Sequence, residues 1–301
     1  GGGARFTQSE DLSNATVQLD AKSSISHNKL GGKDALPNVE SKIGAISSTE
    51  STASLSSGIF SVGYNNADAT FAGTFTSTAI NKYGTSAWTL TGSGSTSPVN
   101  VYAGVLRVAN ASGELTSGKV TVADKAVVDG TGTVKDVDVQ NGGTLTAGSS
   151  DNDCQTLTIE NSLTMASGST LKVEVGAATN DQFAVSGTGT FSGNTIDIVL
   201  TASRNWQPGD EITVFPSTGT LSGTYTIHCD GITWDDSTLL TDGKLKVKTV
   251  STGITGINAD EIVDVYNTSG MKIRSQVAFG KALDSLAPGV YIINGQKVTK
   301  K

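Results

Sequence analysis

The sequence is poor in several residue types, and each shortage excludes a class of protein. Its 301 residues include only two cysteines, two histidines, two methionines and five prolines. Two cysteines cannot form the disulfide framework of a small secreted domain, and five prolines are too few for a proline-rich disordered chain. No apolar run approaches the ~18 residues that a membrane-spanning helix requires, so we expect no direct insertion into a membrane.

Positive charge is also scarce. The chain has 21 Lys and Arg residues against 28 Asp and Glu residues, a formal net charge of -7. Nucleic acids and anionic membranes select for clustered basic side chains. The sequence therefore predicts no nucleic-acid partner.

What the chain does contain is glycine, at 36 residues, and many short runs in which every second residue is apolar. This alternation is typical of strands with one buried face. The clearest examples are Val120/Val122, Val137/Val139, Leu157/Ile159, Leu171/Val173/Val175 and Ile196/Ile198. Several of these pairs are separated by about 16–20 residues, the repeat expected of β-helix coils. The sequence predicts an all-β chain dominated by a parallel β-helix (β-solenoid), with an antiparallel sandwich as the alternative.

Six blocks of sequence, in a fixed order along the chain, carry a resemblance to a known family. They are 71–75 (FAGTF), 81–92 (NKYGTSAWTLTG), 99–108 (VNVYAGVLRV), 127–134 (VVDGTGTV), 142–148 (GGTLTAG) and 155–159 (QTLTI). Together they resemble the autotransporter-associated β-strand repeat, a family that forms the passenger stalks of bacterial surface and secreted proteins. The resemblance implies a right-handed parallel β-helix, a stalk or adhesin role, and a secreted or outer-membrane surface location.

We divide the chain into three parts. Residues 1–66 are irregular β-helix coils, and because 14–20 already alternate, we expect further coils before Gly1. Residues 67–248 form the regular β-helix and its C-terminal cap, where Trp206 and Trp234 are expected to cover the last apolar layer. Residues 249–301 form a small β-sandwich domain.

The C-terminal part carries a second resemblance. Segments 262–273 (IVDVYNTSGMKI) and 286–298 (LAPGVYIINGQKV) read as strand, turn and strand, with Gly270 and Gly295 at the turns. They resemble the C-terminal sorting domain of secreted Bacteroidetes proteins. This resemblance implies sorting or anchoring by a type IX-like secretion machinery, which would be a partner of this domain.

Candidate catalytic and metal-binding residues are few. Asp235 and Asp236 are the best acidic pair, but adjacent residues of a strand face opposite sides, which favours a solvated turn. A segment with two acids, 151–153 (DND), has ligands that suit Ca²⁺, although a polar loop explains it equally. His27 and His228 lie in unrelated segments, so we expect ordinary strand or loop histidines.

Three further features have a structural interpretation that we favour. The segments 130–133 (GTGT) and 187–190 (GTGT) lack the ending of a phosphate-binding loop, so we interpret their glycines as turn residues. Tyr64, Tyr83, Trp88 and Tyr102 suit stacking on sugar rings, but we expect Trp88 and Tyr102 to fill the core or its corners. Cys154 and Cys229 lie several coils apart in a solenoid, so we expect them not to form a disulfide.

The sequence therefore predicts a non-catalytic structural or adhesive stalk segment, with no catalytic, cofactor-binding or metal-binding residue and no cofactor. The expected partners are surface glycans or host proteins. Two alternatives stay open: the accessory C-terminal part of a β-helical polysaccharide lyase or hydrolase, and a glycan-binding module.

Overall fold

The computed structural model describes residues 2–29, 34–149, 154–202, 204–216, 219–250 and 260–300. The fold is all-β, as the alternation predicts, with 28 strands, one four-residue α-helix and one short 3-10 helix in the described residues. The chain divides into two compact units. The first comprises Gly1–Arg204, Glu211–His228 and Asp236–Leu245, and the second comprises Asn205–Asp210, Cys229–Asp235 and Lys246–Lys301.

The strands are short in the first half of the chain and longer in the second half. The first fourteen are β1 (Gly3–Phe6), β2 (Asp11–Gln18), β3 (Ser24–His27), β4 (Glu40–Ser47), β5 (Ser54–Ser56), β6 (Ile59–Val62), β7 (Ala69–Phe71), β8 (Thr74–Thr76), β9 (Ala79–Lys82), β10 (Ala87–Leu90), β11 (Val99–Val101), β12 (Gly104–Val108), β13 (Lys119–Val122) and β14 (Ala126–Gly130).

The remaining elements include both helices. They are β15 (Thr133–Val139), β16 (Thr144–Leu145), β17 (Thr156–Met165), β18 (Thr170–Val175), β19 (Gln182–Val185), β20 (Thr188–Leu200), β21 (Glu211–Thr213), β22 (Thr220–Cys229), β23 (Ile232–Asp235), α1 (Leu239–Asp242), β24 (Lys244–Val250), β25 (Ile262–Asn267), β26 (Lys272–Ala278), the 3-10 helix Phe279–Lys281, β27 (Gly289–Ile293) and β28 (Gln296–Lys300).

Parallel pairing stacks the strands of the first unit in columns, each strand bonding to its counterpart one coil away. Column one consists of β4, β6, β9, β11, β13, β15, β17 and β20. Column two consists of β7, β10, β12, β14, β16, β18 and β20. Column three consists of two stretches. The first contains β1, β3, β5 and β8, and the second, later in the chain, contains β15, β17 and β19. This repeated parallel pairing is consistent with a β-solenoid and not with the antiparallel sandwich.

The inward positions of each column form a continuous apolar stack. In column two, Leu106 pairs with Val128, Val128 with Leu145, Leu145 with Leu171, and Leu171 with Ile196. All five side chains are fully buried. The predicted inward residues, listed above as the clearest alternating pairs, are buried as well. Each coil therefore completes the hydrophobic core of its neighbours.

Several strands, among them β15, β17 and β20, serve two columns because they continue around a corner of the coil. In β20, Thr188–Phe191 pairs with β17, whereas Thr195–Leu200 pairs with β18. In β15, an irregularity between Val134 and Asp136 changes the register as the strand passes from one column to the next. A bulge of this kind bends a strand without ending it.

The coil architecture already begins in the segment 1–66. Here β2 pairs in parallel with β4, and β4 pairs with β6. The same segment supplies β1, β3 and β5 of column three. The irregular pattern of residues 28–39 reflects a connection between β3 and β4 that is not a strand in its described part.

The second unit has two local cores. Trp206 and Trp234 meet edge to face with ring centroids 5.5 Å apart, and β23 pairs antiparallel with β24. The C-terminal segment forms an antiparallel sheet in the order β26, β25, β27, β28. Its apolar cluster consists of Val263, Val265, Ala282, Tyr291, Ile293 and Val298, with Val277, Phe279, Leu283 and Leu286 packed against it.

The C-terminal fold differs from the predicted two-sheet sandwich in its second layer. Residues 260–300 form one sheet, and the segment 277–286 with its 3-10 helix contributes to the apolar cluster instead of a second sheet. The predicted turns at Gly270 and Gly295 are confirmed, with φ of 82° and 76°. In the part of the chain that the structure describes, no helix has the length and apolar character to cross a membrane.

Candidate functional site

The outward positions of column two carry a row of paired charges. Arg107 and Asp129 are register partners on β12 and β14. The guanidinium donates to both carboxylate oxygens, at 3.0 Å from Nε to Oδ1 and 2.7 Å from Nη2 to Oδ2. Nη2 also donates to the carbonyl oxygen of Ser149 at 2.7 Å. This bidentate pair connects adjacent coils.

The row continues along the same face on later coils. Lys172 of β18 is the register partner of Asp197 on β20. The Lys172 ammonium donates to Glu174 Oε1 at 2.6 Å, and the Asp197 carboxylate lies 2.7 Å from Nδ1 of His228. His228 is thus in an ion pair or hydrogen bond on a strand, as the sequence predicts.

Two open clefts adjoin this row. The first has a volume of about 370 Å³ and is lined by Gln18, Ser47, Ser48, Thr49, Asp68, Ala69, Thr70, Ala87, Thr89 and Arg107. The second has a volume of about 200 Å³ and is lined by Asp129, Thr146, Ala147, Gly148, Ser149, Lys172 and Glu174. The second cleft brings together two carboxylates and a lysine, which are residue types that can act as general acid and general base.

The carboxylates beside the second cleft are nevertheless already engaged. Burial raises the pKa of Asp129, while the hydrogen bonds and charge of Arg107 oppose that rise. Glu174 is buried and pairs with Lys172. Either carboxylate would have to break its ion pair before it could transfer a proton to a substrate. The geometry therefore fits a ladder that ties coils together better than a catalytic pair.

Asp181 lies behind this cleft and is fully buried. Its carboxylate accepts hydrogen bonds from the backbone N–H groups of Gln155 and Glu174, both at 3.1 Å, and from the Thr146 hydroxyl at 3.4 Å. Burial raises the pKa of Asp181 to about 6, the nearby Glu174 charge adds to the rise, and the two backbone donors oppose it. The sequence does not indicate Asp181 as a site residue, since a single Asp between two strands carries no pattern.

The outer side of column one carries an aromatic ladder of Tyr64, Tyr83 and Tyr102. Successive rings stack with centroids 5.1 Å and 5.0 Å apart and interplanar angles of 26° and 20°. The ammonium of Lys42 lies 5.8 Å from the centroid of the Tyr64 ring. These spacings match the distance of about 4.8 Å between strands of adjacent coils.

The two aromatics predicted to fill the core behave differently. Trp88 is 2% exposed, and its indole N–H donates to the Ile46 carbonyl oxygen at 3.0 Å, which confirms the prediction. Tyr102 does not fill the core, because the residue is 45% exposed, and it lies at the corner between β11 and β12. Val101 takes the inward position, so strand alternation directs the next side chain outward.

Lys82 is a charged residue in the core that the sequence analysis did not single out. It occupies the inward position between Val62 and Val101 in column one and is fully buried. Its ammonium donates to the carbonyl oxygens of Tyr83, Gly84 and Ala103, at 2.6, 3.2 and 3.3 Å. Burial lowers the pKa of Lys82 to about 8. The alternation of Ile80 and Lys82 is the signal that places it inward.

His27 is a buried strand histidine, as the sequence predicts. Its ring lies 2.9 Å from the Ser41 hydroxyl through Nε2 and 3.2 Å from the Ser57 carbonyl oxygen through Nδ1, and burial lowers its pKa. Asp235 ends β23 and Asp236 follows it in a turn. The 151–153 segment lies outside the described residues.

The predicted turn glycines are confirmed in part. Gly130 ends β14 with a φ of 123°, and Gly132 and Gly187 lie in bends. For Gly189 the prediction is wrong, because this residue lies within β20 as the register partner of Leu163. Cys154, a free thiol, contacts the Glu174 carbonyl oxygen at 3.6 Å. Across the described ranges, no group of three or more His, Cys, Asp or Glu side chains is placed to hold a metal ion.

No protein-family model and no curated protein matches this chain. The fold itself defines the class: an all-β protein whose first unit is built from stacked parallel coils.

Proposed function

We propose that the chain is a structural, adhesive stalk segment of a secreted or cell-surface bacterial protein, and that its first unit is a right-handed parallel β-helix. The observation that carries this proposal is the unbroken parallel register of column one. Its eight strands rise by about 34 Å at ~4.8 Å per coil. A stack of this kind holds an attached module at a fixed distance.

The side chains support a mechanical role. Arg107–Asp129, the Tyr64–Tyr83–Tyr102 ladder and the inward apolar stacks all join residues of successive coils. Contacts between neighbouring repeats are the source of stability in a solenoid. The resemblance of the six blocks to the autotransporter-associated repeat supports the same role.

We further propose that the C-terminal sheet is a sorting or anchoring domain read by a type IX-like secretion machinery. Its support is the resemblance of segments 262–273 and 286–298 to that family. The small apolar cluster around Val265 and Ile293 gives the segment its own core, which suits a domain recognised as a unit.

Export of the chain tests the sorting proposal. In a Bacteroidetes host, a chain lacking residues 254–301 should remain inside the cell, whereas the full chain reaches the surface or the medium. The matched control is Met271→Ser on the full chain, because Met271 is 64% exposed and outside the apolar cluster. Equal export of the truncated and full chains contradicts the sorting role.

The non-catalytic role has a separate test. The purified chain, incubated with neutral and acidic polysaccharides, should release no reducing ends or unsaturated products. Cleavage that is lost in Glu174→Gln would contradict the stalk proposal and would place catalysis at the second cleft.

A further inference from the structure

The tyrosine ladder ends abruptly at Tyr102, which leaves one ring face uncovered. Tyr83 stacks on one face of Tyr102 at 5.0 Å. In the next coil, the N–H of Ala123 donates to Val101, which places Ala123 in the position that follows Tyr102 along the ladder. A methyl group there cannot cover a phenol ring, and Tyr102 is 45% exposed.

The other end of the ladder is closed, so the open face is unique within it. Lys42 lies over Tyr64, and Tyr83 is stacked between its two neighbours. Only Tyr102 can therefore offer a flat ring to a ligand. Because Ala123 has no ring, the ladder has a step at this position, above the open face of Tyr102. The step has the height of one coil, about 4.8 Å, which is the spacing between stacked rings in the ladder.

Hydrogen-bonding groups stand beside this step. Asn100 lies two residues before Tyr102 on the outward side of β11, and its register partner on β13 is Thr121. The Asn100 amide nitrogen donates to Asn81 Oδ1 at 3.0 Å. Neither the Asn100 amide oxygen nor the Thr121 hydroxyl has a protein partner in the described part of the chain.

One ion pair lies beside the Ala123 position. Asp138, the register partner of Thr121, pairs with Lys119 at 3.1 Å and accepts from the Gln140 amide at 2.7 Å. The whole chain carries a net charge of -7. The net negative charge of the chain repels an anionic ligand, whereas a neutral one is not penalised.

We propose that the open face of Tyr102 above Ala123 is a binding site for one ring of a neutral polysaccharide. The C–H face of the sugar stacks on the phenol ring. Its hydroxyl groups donate to the Asn100 amide oxygen and exchange hydrogen bonds with Thr121. The site goes beyond the stalk role and does not depend on it.

The test is affinity electrophoresis of the full chain in gels that contain hydroxyethylcellulose, galactomannan or polygalacturonate. The full chain should be retarded by at least one of the two neutral polymers and not by polygalacturonate. Tyr102→Ala should weaken that retardation by roughly fivefold to tenfold, the value of a lost aromatic stack. Tyr102→Phe should retain most of it.

Ala123→Phe separates the open face from the rest of the ladder. A phenyl ring at this position extends the stack, covers Tyr102 and should abolish binding while the thermal midpoint stays the same or rises. The matched control is Ala166→Phe, since Ala166 lies in the same column position two coils further on, where no tyrosine precedes it. Its binding should equal that of the unmodified chain.

Two results overturn the proposal. One is that neither neutral polymer retards the unmodified chain. The other is that Ala123→Phe binds as tightly as the unmodified chain, because the ring face would then play no part.

Discussion

At the scale of single residues, the buried ionisable groups determine how the stability of the first unit depends on pH. Asp181 is the clearest case, because it is fully buried and its pKa is raised to about 6. A carboxyl group that binds its proton more tightly in the folded state stabilises the fold at low pH. That contribution is present below the unfolded value of 3.8 and is lost as the pH rises through about 6.

Asp181→Asn should remove this pH dependence. The amide does not titrate, so its own contribution to the free energy of unfolding is the same at every pH, although it offers only one acceptor oxygen to the two backbone donors. As the pH rises from 4 to 8, the unmodified chain loses about 2 kcal/mol of its free energy of unfolding through Asp181, whereas the variant does not. The difference in stability between the two chains should therefore shift by about 2 kcal/mol in favour of the variant. Urea unfolding at both pH values measures the change. A difference that is the same at pH 4 and pH 8 contradicts the assignment.

The Arg107–Asp129 pair makes a second prediction at this scale. The Asp129 side chain is 9% exposed, so Arg107→Met leaves a buried carboxylate without its cation. We expect a loss of about 2 kcal/mol in the free energy of unfolding at pH 7. The double variant Arg107→Met/Asp129→Leu should recover most of that loss, because no buried charge remains. Strictly additive effects of the two substitutions would show that the pair does not stabilise the coils.

At the scale of elements, the corners between strands are set by glycines that approach the neighbouring coil. Gly84, which follows β9, has a φ of 70°, and a Cβ built there would lie 2.0 Å from the Gly63 carbonyl oxygen of the preceding coil. Gly94 has a similar φ of 78°, but nothing lies within 4 Å of its Cβ position. A comparison of Gly84 with Gly94 therefore separates the free-energy cost of a left-handed backbone from the cost of a steric clash with the neighbouring coil.

Gly84→Ala should therefore destabilise the fold more than Gly94→Ala. The second substitution costs about 1 kcal/mol for the left-handed backbone alone. The first adds a clash with backbone that must shift, for a total of about 3 kcal/mol. Chemical denaturation monitored by circular dichroism measures both. Equal losses would mean that the coils separate freely at this corner.

The sequence predicted the inward half of each strand well and the outward half poorly. Val120, Val122 and Leu171 follow from alternation alone, because burial of every second side chain is a local pattern. Alternation also places Lys82 inward and Tyr102 outward, but an ammonium inside and an aromatic outside contradict the usual preference of these residue types. At both positions a prediction from residue type alone is wrong.

The candidate site could not be predicted, because its residues come from different coils. Arg107 and Asp129 are 22 residues apart, and Asp181 and Gln155 are 26 residues apart. Coil length in column one varies from 17 residues, between Val120 and Val137, to 26 residues, between Val137 and Leu163. Without a fixed repeat, the sequence cannot show which polar residues become neighbours.

At the scale of the whole molecule, the repeated strand register means that one complete coil can be deleted while the remaining coils still pair. Residues 80–98 form one repeat, because Ile80 pairs with Phe60 on one side and with Val99 on the other. Removing them would bring Val62 against Val101 in column one, and Phe71 against Val108 in column two. The new neighbours are apolar on both sides, and the buried Lys82 is lost with the coil.

Deletion of residues 80–98 should therefore leave the chain folded, whereas deletion of residues 80–90, about half of the repeat, should not. In a solenoid each coil contacts only its neighbours, so a whole coil can be removed without breaking the parallel ladder, while a partial one shifts every later strand out of register. Circular dichroism and a cooperative thermal transition report the fold, and the half-coil deletion is the matched control. If both deletions unfold the chain alike, the columns are not built from equivalent coils, and the stalk proposal loses its structural basis.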